Sequence, residues 1–176
     1  RCTMPAMQAM TISLIGMPGA GKSSVGIFLA KQLGLSFTDT DLLIQVRHGD
    51  TLQHILEQHG YLALRQMEEA VLLDIPLQQM LVSTGGSVVY SDAAMQRLRA
   101  AGPVVFIDVP LPVLQQRVDN QDERGIAHAP GQDFPAVFEE RQPLYQRYAD
   151  LTIAGHPESA ETIARQLAHQ LAGGTA

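Results

Sequence analysis

The segment Gly16-Met-Pro-Gly-Ala-Gly-Lys22-Ser23 constrains this chain more than any other, because it fits the pattern G-x-x-x-x-G-K-[ST]. Such a loop works between a strand and a helix. Its glycines let backbone N–H groups turn inward around a phosphate chain, and the helix that follows adds the positive end of its dipole. The flanks meet that demand. Thr11 to Ile15 is a short β-rich run ending in glycine, and Lys22 to Leu33 carries Val25, Phe28, Leu29 and Leu33 at helical spacing before Gly34. Lysine is scarce, with only Lys22 and Lys31 against ten Arg. One of the two falls where it can reach β and γ phosphates, and Ser23 falls where a hydroxyl takes a place on Mg²⁺.

The same alternation continues. Leu35–Thr38, Met80–Ser83, Val104–Asp108 and Leu151–Ala154 read as further strands. Leu42–Arg47, Thr51–His59, Tyr61–Asp74, Asp92–Ala101, Pro112–Val118, Ala136–Tyr148 and Glu158–Leu171 read as helices. Five strands alternating with helices predict an α/β fold, a five-stranded parallel sheet with helices on both faces. Residues 11–173 are expected to form one domain, and residues 1–10 a disordered or cloning-derived end. Asp119 to Asp133 loses apolar periodicity over a length unusual for a plain connection, so a flexible lid is expected at about 119–133.

Twelve Lys plus Arg against eighteen Asp plus Glu give a net charge of −6, which disfavours nucleic acid and anionic lipid as partners. No apolar run has the length of a membrane span. The single cysteine, Cys2, excludes a disulfide framework and fits a cytoplasmic location. The six histidines have no metal-ligand spacing, and only His128, in the expected lid, stands apart.

Guanine recognition through N-K-x-D is impossible, since the two lysines follow Gly21 and Ala30. An ATPase strand ending in Asp and followed by Glu is imitated by Val104–Asp108, but Val109 comes next, so Asp108 is a weaker metal candidate than Asp39. Asp39-Thr40-Asp41 ends the strand after the first helix, where one carboxylate can serve a metal and the other the proton of an attacking alcohol. The alternative for Asp39 is a helix cap.

Taken together, these segments resemble the shikimate kinases, small-molecule kinases of the P-loop group with a nucleoside-monophosphate-kinase-like fold. The similarity runs from about Ile12 to Ile153. Besides the loop and Asp39-Thr-Asp41, it includes Leu64-Arg65 before Met67-Glu68-Glu69, the Gly85-Gly86 turn, Arg141-Gln-Pro-Leu-Tyr145 and Ala149-Asp150. The resemblance implies transfer of a phosphoryl group from ATP, with Mg²⁺, to the 3-hydroxyl of shikimate by a monomeric enzyme of aromatic amino acid biosynthesis. It implies a cradle of Gly19, Ala20, Gly21, Lys22, Ser23 and Ser24, with Ser23 and Asp39 serving the metal. Asp41 becomes the candidate base, Arg65 and Arg141 grip the acceptor carboxylate, and Gly85 and Gly86 approach its ring. The helices at about 41–75 become its binding elements. Arg124 becomes the catalytic lid arginine on ATP, while Arg117 and Pro157 flank the adenine.

Bland alternatives exist for both clamp residues. Arg65 can pair with Glu69 one turn on, and Arg141 can stack on Tyr145. Three departures from the family pattern fall on the acceptor and lid side: Ser87 in place of a third glycine, Gly125-Ile126 in place of Pro-Leu after Arg124, and Tyr61 and Leu64 in place of an acidic residue and Phe. Kinases of other hydroxylated carboxylates, an impaired ATP-binding paralogue and an ATPase switch are the competing readings.

Overall fold

A computed structural model describes residues 10–119 and 125–173. Strands β1 (Ile12–Ile15), β2 (Ser36–Asp39), β3 (Met80–Ser83), β4 (Val104–Asp108) and β5 (Leu151–Ala154) form one sheet in the order β2-β3-β1-β4-β5, every pairing parallel. Around it lie α1 (Lys22–Leu33), α2 (Thr40–His48), α3 (Leu52–His59), α4 (Tyr61–Asp74), α5 (Asp92–Ala101), α6 (Leu111–Asp119), α7 (Phe134–Tyr148) and α8 (Ala160–Gly173). β1 and β3 are buried along their whole length, and β4 at all but its last residue. That is why these strands read as apolar runs rather than alternating ones: helices cover both faces.

β1 lies between β3 and β4. The chain leaves β1 for the edge strand β2, returns to β3, then crosses to β4 on the other side. Ligands in doubly wound sheets collect outside the carboxyl ends of the strands at this reversal. Those ends carry the Gly16–Ser23 loop, Asp39, the Thr84–Gly86 turn, Asp108 and Gly155.

The strand and helix expectations hold with shifts at the ends. α2 begins at Thr40 rather than Leu42, because Asp39 caps it: Oδ1 accepts from Asp41 N at 3.0 Å and Leu42 N at 3.3 Å. A polar first turn leaves no apolar period to read. α7 likewise starts at Phe134, capped by Asp133 through Ala136 N at 2.9 Å. A 3-10 turn at Val88–Tyr90 carries two buried valines and was not anticipated. Of the expected lid, residues 120–124 lie outside the described residues, Arg124 among them.

Candidate active site

The phosphate loop is built as its sequence demands. A Cβ at Gly16 would lie 2.8 Å from the carbonyl oxygen of Ile107, so β4 leaves room for glycine only. Gly21 starts α1 with φ of 90° and no side-chain cap, leaving the first N–H groups of the helix available to an anion. Lys22 Nζ donates to Gly16 O at 2.7 Å and Met17 O at 2.9 Å. An ammonium has three donors, so one is left for a ligand. Burial pushes the Lys22 pKa down to about 8, with the charges of Asp41, Glu68 and Asp39 opposing that shift and Arg141 adding to it. The group is therefore mostly cationic at neutral pH.

The helix-cap reading of Asp39 is realised by one oxygen, and the other faces the phosphate loop. Oδ1 caps α2, while Oδ2 accepts from Ser23 Oγ at 2.7 Å, joining the end of β2 to the phosphate loop. Asp108 is engaged elsewhere, accepting from Gln142 Nε2 at 2.9 Å. Between the carboxylates, Thr40 is buried and its hydroxyl accepts from Gly85 N at 3.0 Å. The middle residue of Asp-Thr-Asp thus fixes the glycine turn after β3.

That turn is tightly walled. A Cβ at Gly85 would lie 2.6 Å from Glu68 Oε1 and 2.7 Å from Asp41 Oδ1, and one at Gly86 would lie 2.7 Å from Arg141 Nη1 and 2.9 Å from Pro18 Cδ. The turn therefore brings the carboxylates, an arginine and the phosphate loop together. Ser87, the departure from three glycines, turns its hydroxyl onto Glu68 Oε2 and is buried. Glu68, in the sequence one member of Met67-Glu68-Glu69 with no role of its own, is a wall of the site. Burial, then the charge of Asp41, pushes its pKa up to about 7, against the Ser87 hydrogen bond and the charges of Arg141 and Lys22. Its Oε1 is buried without a hydrogen-bond partner.

Arg65 and Arg141 converge from α4 and α7. Arg65 Nη2 donates to Ala127 O at 3.2 Å and Arg141 Nη2 to the same oxygen at 2.7 Å. Arg141 is only 1% exposed, and the Nε of each arginine is buried without a partner. Glu69 accepts from Ser91 Oγ rather than pairing with Arg65, and Tyr145 stacks on Phe106 with centroids 5.2 Å apart while its hydroxyl, not its ring face, meets Arg141. Tyr145 instead braces the turn, donating to Gly86 O at 2.5 Å.

Arg117 bridges the loop and the chain after β5, donating to Gly19 O at 3.0 Å and Gly155 O at 3.2 Å. Pro157 is exposed, and the cleft wall nearby is made by Gly155 and Glu158. The cleft holds about 760 Å³ and runs from Ser24 and Gly21 past Asp39 and Asp41 to Glu68 and Arg141. Arg65 lines an adjoining cavity of about 350 Å³, which shares Ser87 with the cleft. His128 bonds the carbonyl of Ala129 at 2.9 Å.

A family model described as shikimate kinase matches residues 18–172. The chain belongs to the shikimate kinase family. It is 34% identical over 163 residues to a shikimate kinase of Vibrio vulnificus, covering 91% of this chain and 95% of that one. It is 35% identical over 164 residues to shikimate kinase 1 of Escherichia coli, with the same coverages. The solved shikimate kinase of Acinetobacter baumannii in complex with shikimate superposes with a TM-score of 0.89 at 27% identity, over 98% of each chain. Membership makes this chain an ATP-dependent kinase acting on an alcohol group. Among the described residues, no helix is long and apolar enough to cross a membrane.

Proposed function

We propose that the chain transfers the γ-phosphoryl group of ATP to the 3-hydroxyl of shikimate, holding the acceptor by its carboxylate. The observation that carries the acceptor reading is the meeting of Arg65 and Arg141 on one carbonyl oxygen, each with a buried, unpartnered Nε. Two guanidinium forks with unspent donors fit a carboxylate and match its planar geometry. The rest of the cleft supplies the other half of the reaction. Lys22 and the open N-terminus of α1 take the phosphates. Asp41, walled against Gly85, takes the hydroxyl proton as the oxygen attacks phosphorus in line, and the leaving ADP keeps the bond electrons.

Ser23 Oγ and Asp39 Oδ2 are two hard oxygens 2.7 Å apart. Among the described residues no three His, Cys, Asp or Glu side chains group as a metal cage. That donor set fits Mg²⁺, which prefers few protein ligands and completes its shell with water and phosphate oxygens. When bound, Mg²⁺ neutralises charge on the phosphate oxygens, and Ser23 and Asp39 would hold it, Asp39 through water. We place Arg117 and Pro157 beside the adenine, and residues 119–133, with Arg124, as a lid that closes over ATP and excludes water. The chain works as a monomer in the cytoplasm.

The test is ADP release from ATP and Mg²⁺ with and without shikimate. Shikimate-dependent release is expected. Turnover only with another hydroxylated carboxylate would move the acceptor assignment while keeping the clamp. ATP binding without acceptor turnover, or acceptor-independent hydrolysis, would overturn the proposal.

A further inference from the structure

We propose that Tyr90 is a positioning residue of the acceptor clamp, its ring forming a floor on which both guanidinium groups rest. The inference depends on the reading of Arg65 and Arg141 as carboxylate ligands. Arg65 Cζ lies 3.7 Å from the centroid of the Tyr90 ring, and Arg141 Cζ lies 5.5 Å from the same centroid. Two cations brought to one carbonyl oxygen repel each other; Glu140 acts on both and Glu68 on Arg141 only at longer range, and among the described residues no carboxylate forms a salt bridge with either. The electron-rich aromatic ring offsets that repulsion for both, and it also selects the plane in which each flat fork lies. Tyr61 lies near Arg65 as well, its centroid 4.9 Å from Cζ, so the arginine is held among aromatic rings.

The floor is itself fixed. Tyr90 Oη donates to Glu140 Oε1 at 2.6 Å, and Glu140 Oε2 accepts from Gln132 Nε2 at 2.7 Å. Gln132 Oε1 in turn accepts from Ala129 N at 3.3 Å, two residues beyond the carbonyl that both arginines hold. Partial burial and then the Glu140 bond push the Tyr90 phenol up, against a hydrogen bond from Arg141 to the same hydroxyl and the charges of both arginines, so Arg141 is held at the hydroxyl edge of the ring and Arg65 over its face. Tyr90 also closes the 3-10 turn that starts right after Ser87, so the glycine turn and the clamp floor are one continuous piece of chain. A ring tied at its hydroxyl and by its backbone cannot slide, and the two forks keep the spacing that a carboxylate needs.

Two ringless variants and one ring-keeping variant test this, with shikimate and its methyl ester as acceptors. Tyr90→Leu removes ring and hydroxyl; Tyr90→Gln keeps an amide for Glu140 without a ring; Tyr90→Phe keeps the ring. The ringless variants are expected to raise the shikimate KM roughly tenfold, from the loss of two cation–π contacts, with kcat and the ATP KM little changed. Tyr90→Phe, which keeps the ring and loses the hydroxyl bonds to Glu140 and Arg141, is expected to recover part of the KM, to about threefold above wild type. With the methyl ester, whose acceptor group carries no charge, wild type should bind poorly and the variants should add little. If whichever ringless variant folds keeps the wild-type shikimate KM, or if Tyr90→Phe is as impaired as the ringless pair, the floor is refuted. Wild type turning over both acceptors equally would refute the clamp reading instead.

Discussion

Replacing Glu68 by glutamine should stabilise the protein at alkaline pH and do so far less at acid pH. The carboxyl lies in the folded protein at about 7, against 4.5 for the unperturbed group. Between those values the folded state holds a proton that the unfolded chain has released. Stability therefore falls as pH rises from 4.5, and the loss is complete above about 7. A shift of that size corresponds to a penalty of ~3 kcal/mol, undiminished by solvent because the residue is 4% exposed. Glutamine keeps the shape and an oxygen for the Ser87 hydroxyl, but has no charge to desolvate. Lys22 contributes with the opposite sign: its lowered pKa costs stability below about 8, and the cost is relieved as pH rises above that. Glu68 is one of the charges that hold the Lys22 pKa up, so Glu68→Gln lowers Lys22 further and its relief begins at lower pH in the variant. Urea unfolding of both proteins at pH 5 and pH 8 measures the effect. The Glu68→Gln advantage should grow by roughly 2–3 kcal/mol between the two, or about 5–10 °C in Tm for a chain of this length. An advantage that is the same at both pH values would refute the buried-carboxyl account.

Three further outcomes follow from the cleft. Asp41→Asn should lower kcat roughly 100-fold or more while ATP affinity, measured by equilibrium titration, changes little; near-normal kcat would remove Asp41 as the base. Arg141→Lys should raise the acceptor KM roughly tenfold, because one ammonium cannot replace a fork that reaches two oxygens; steady-state kinetics with varied shikimate decides this. Gly85→Ala should cost about 1–3 kcal/mol in thermal unfolding and most of the activity, since its Cβ would sit 2.6 Å from Glu68 Oε1 and 2.7 Å from Asp41 Oδ1.

How much of this could be read beforehand differs from element to element for physical reasons. The phosphate loop was legible because its chemistry is local: the residues that meet one phosphate chain lie within eight positions. The sheet was legible because strands covered on both faces are mostly apolar, as β1, β3 and β4 are apart from Ser13, Ser83 and Asp108. Glu68 went unassigned although a signal existed. It shares the buried side of α4 with Leu64, Val71 and Leu72, so helical spacing alone puts a carboxylate on the inner face. The convergence of Arg65 and Arg141 on Ala127 has no such signal. The contact joins positions 62 and 14 residues apart, and nothing in either neighbourhood encodes it. The family resemblance named these arginines; their local sequence could not.

The acceptor side also shows how a chain of net charge −6 can hold two anions. Lys22 and Arg141 are buried, and burying them uncompensated would be costly. Asp41 and Glu68 act on Lys22 at close range and offset part of that cost. The offset is incomplete by design of the packing, because Glu68 is held near the point where it gives up its charge. Ser87 matters to this balance, since its hydrogen bond favours the ionised form. The serine that departs from the family's third glycine therefore lines the cleft and draws Glu68 toward its ionised form.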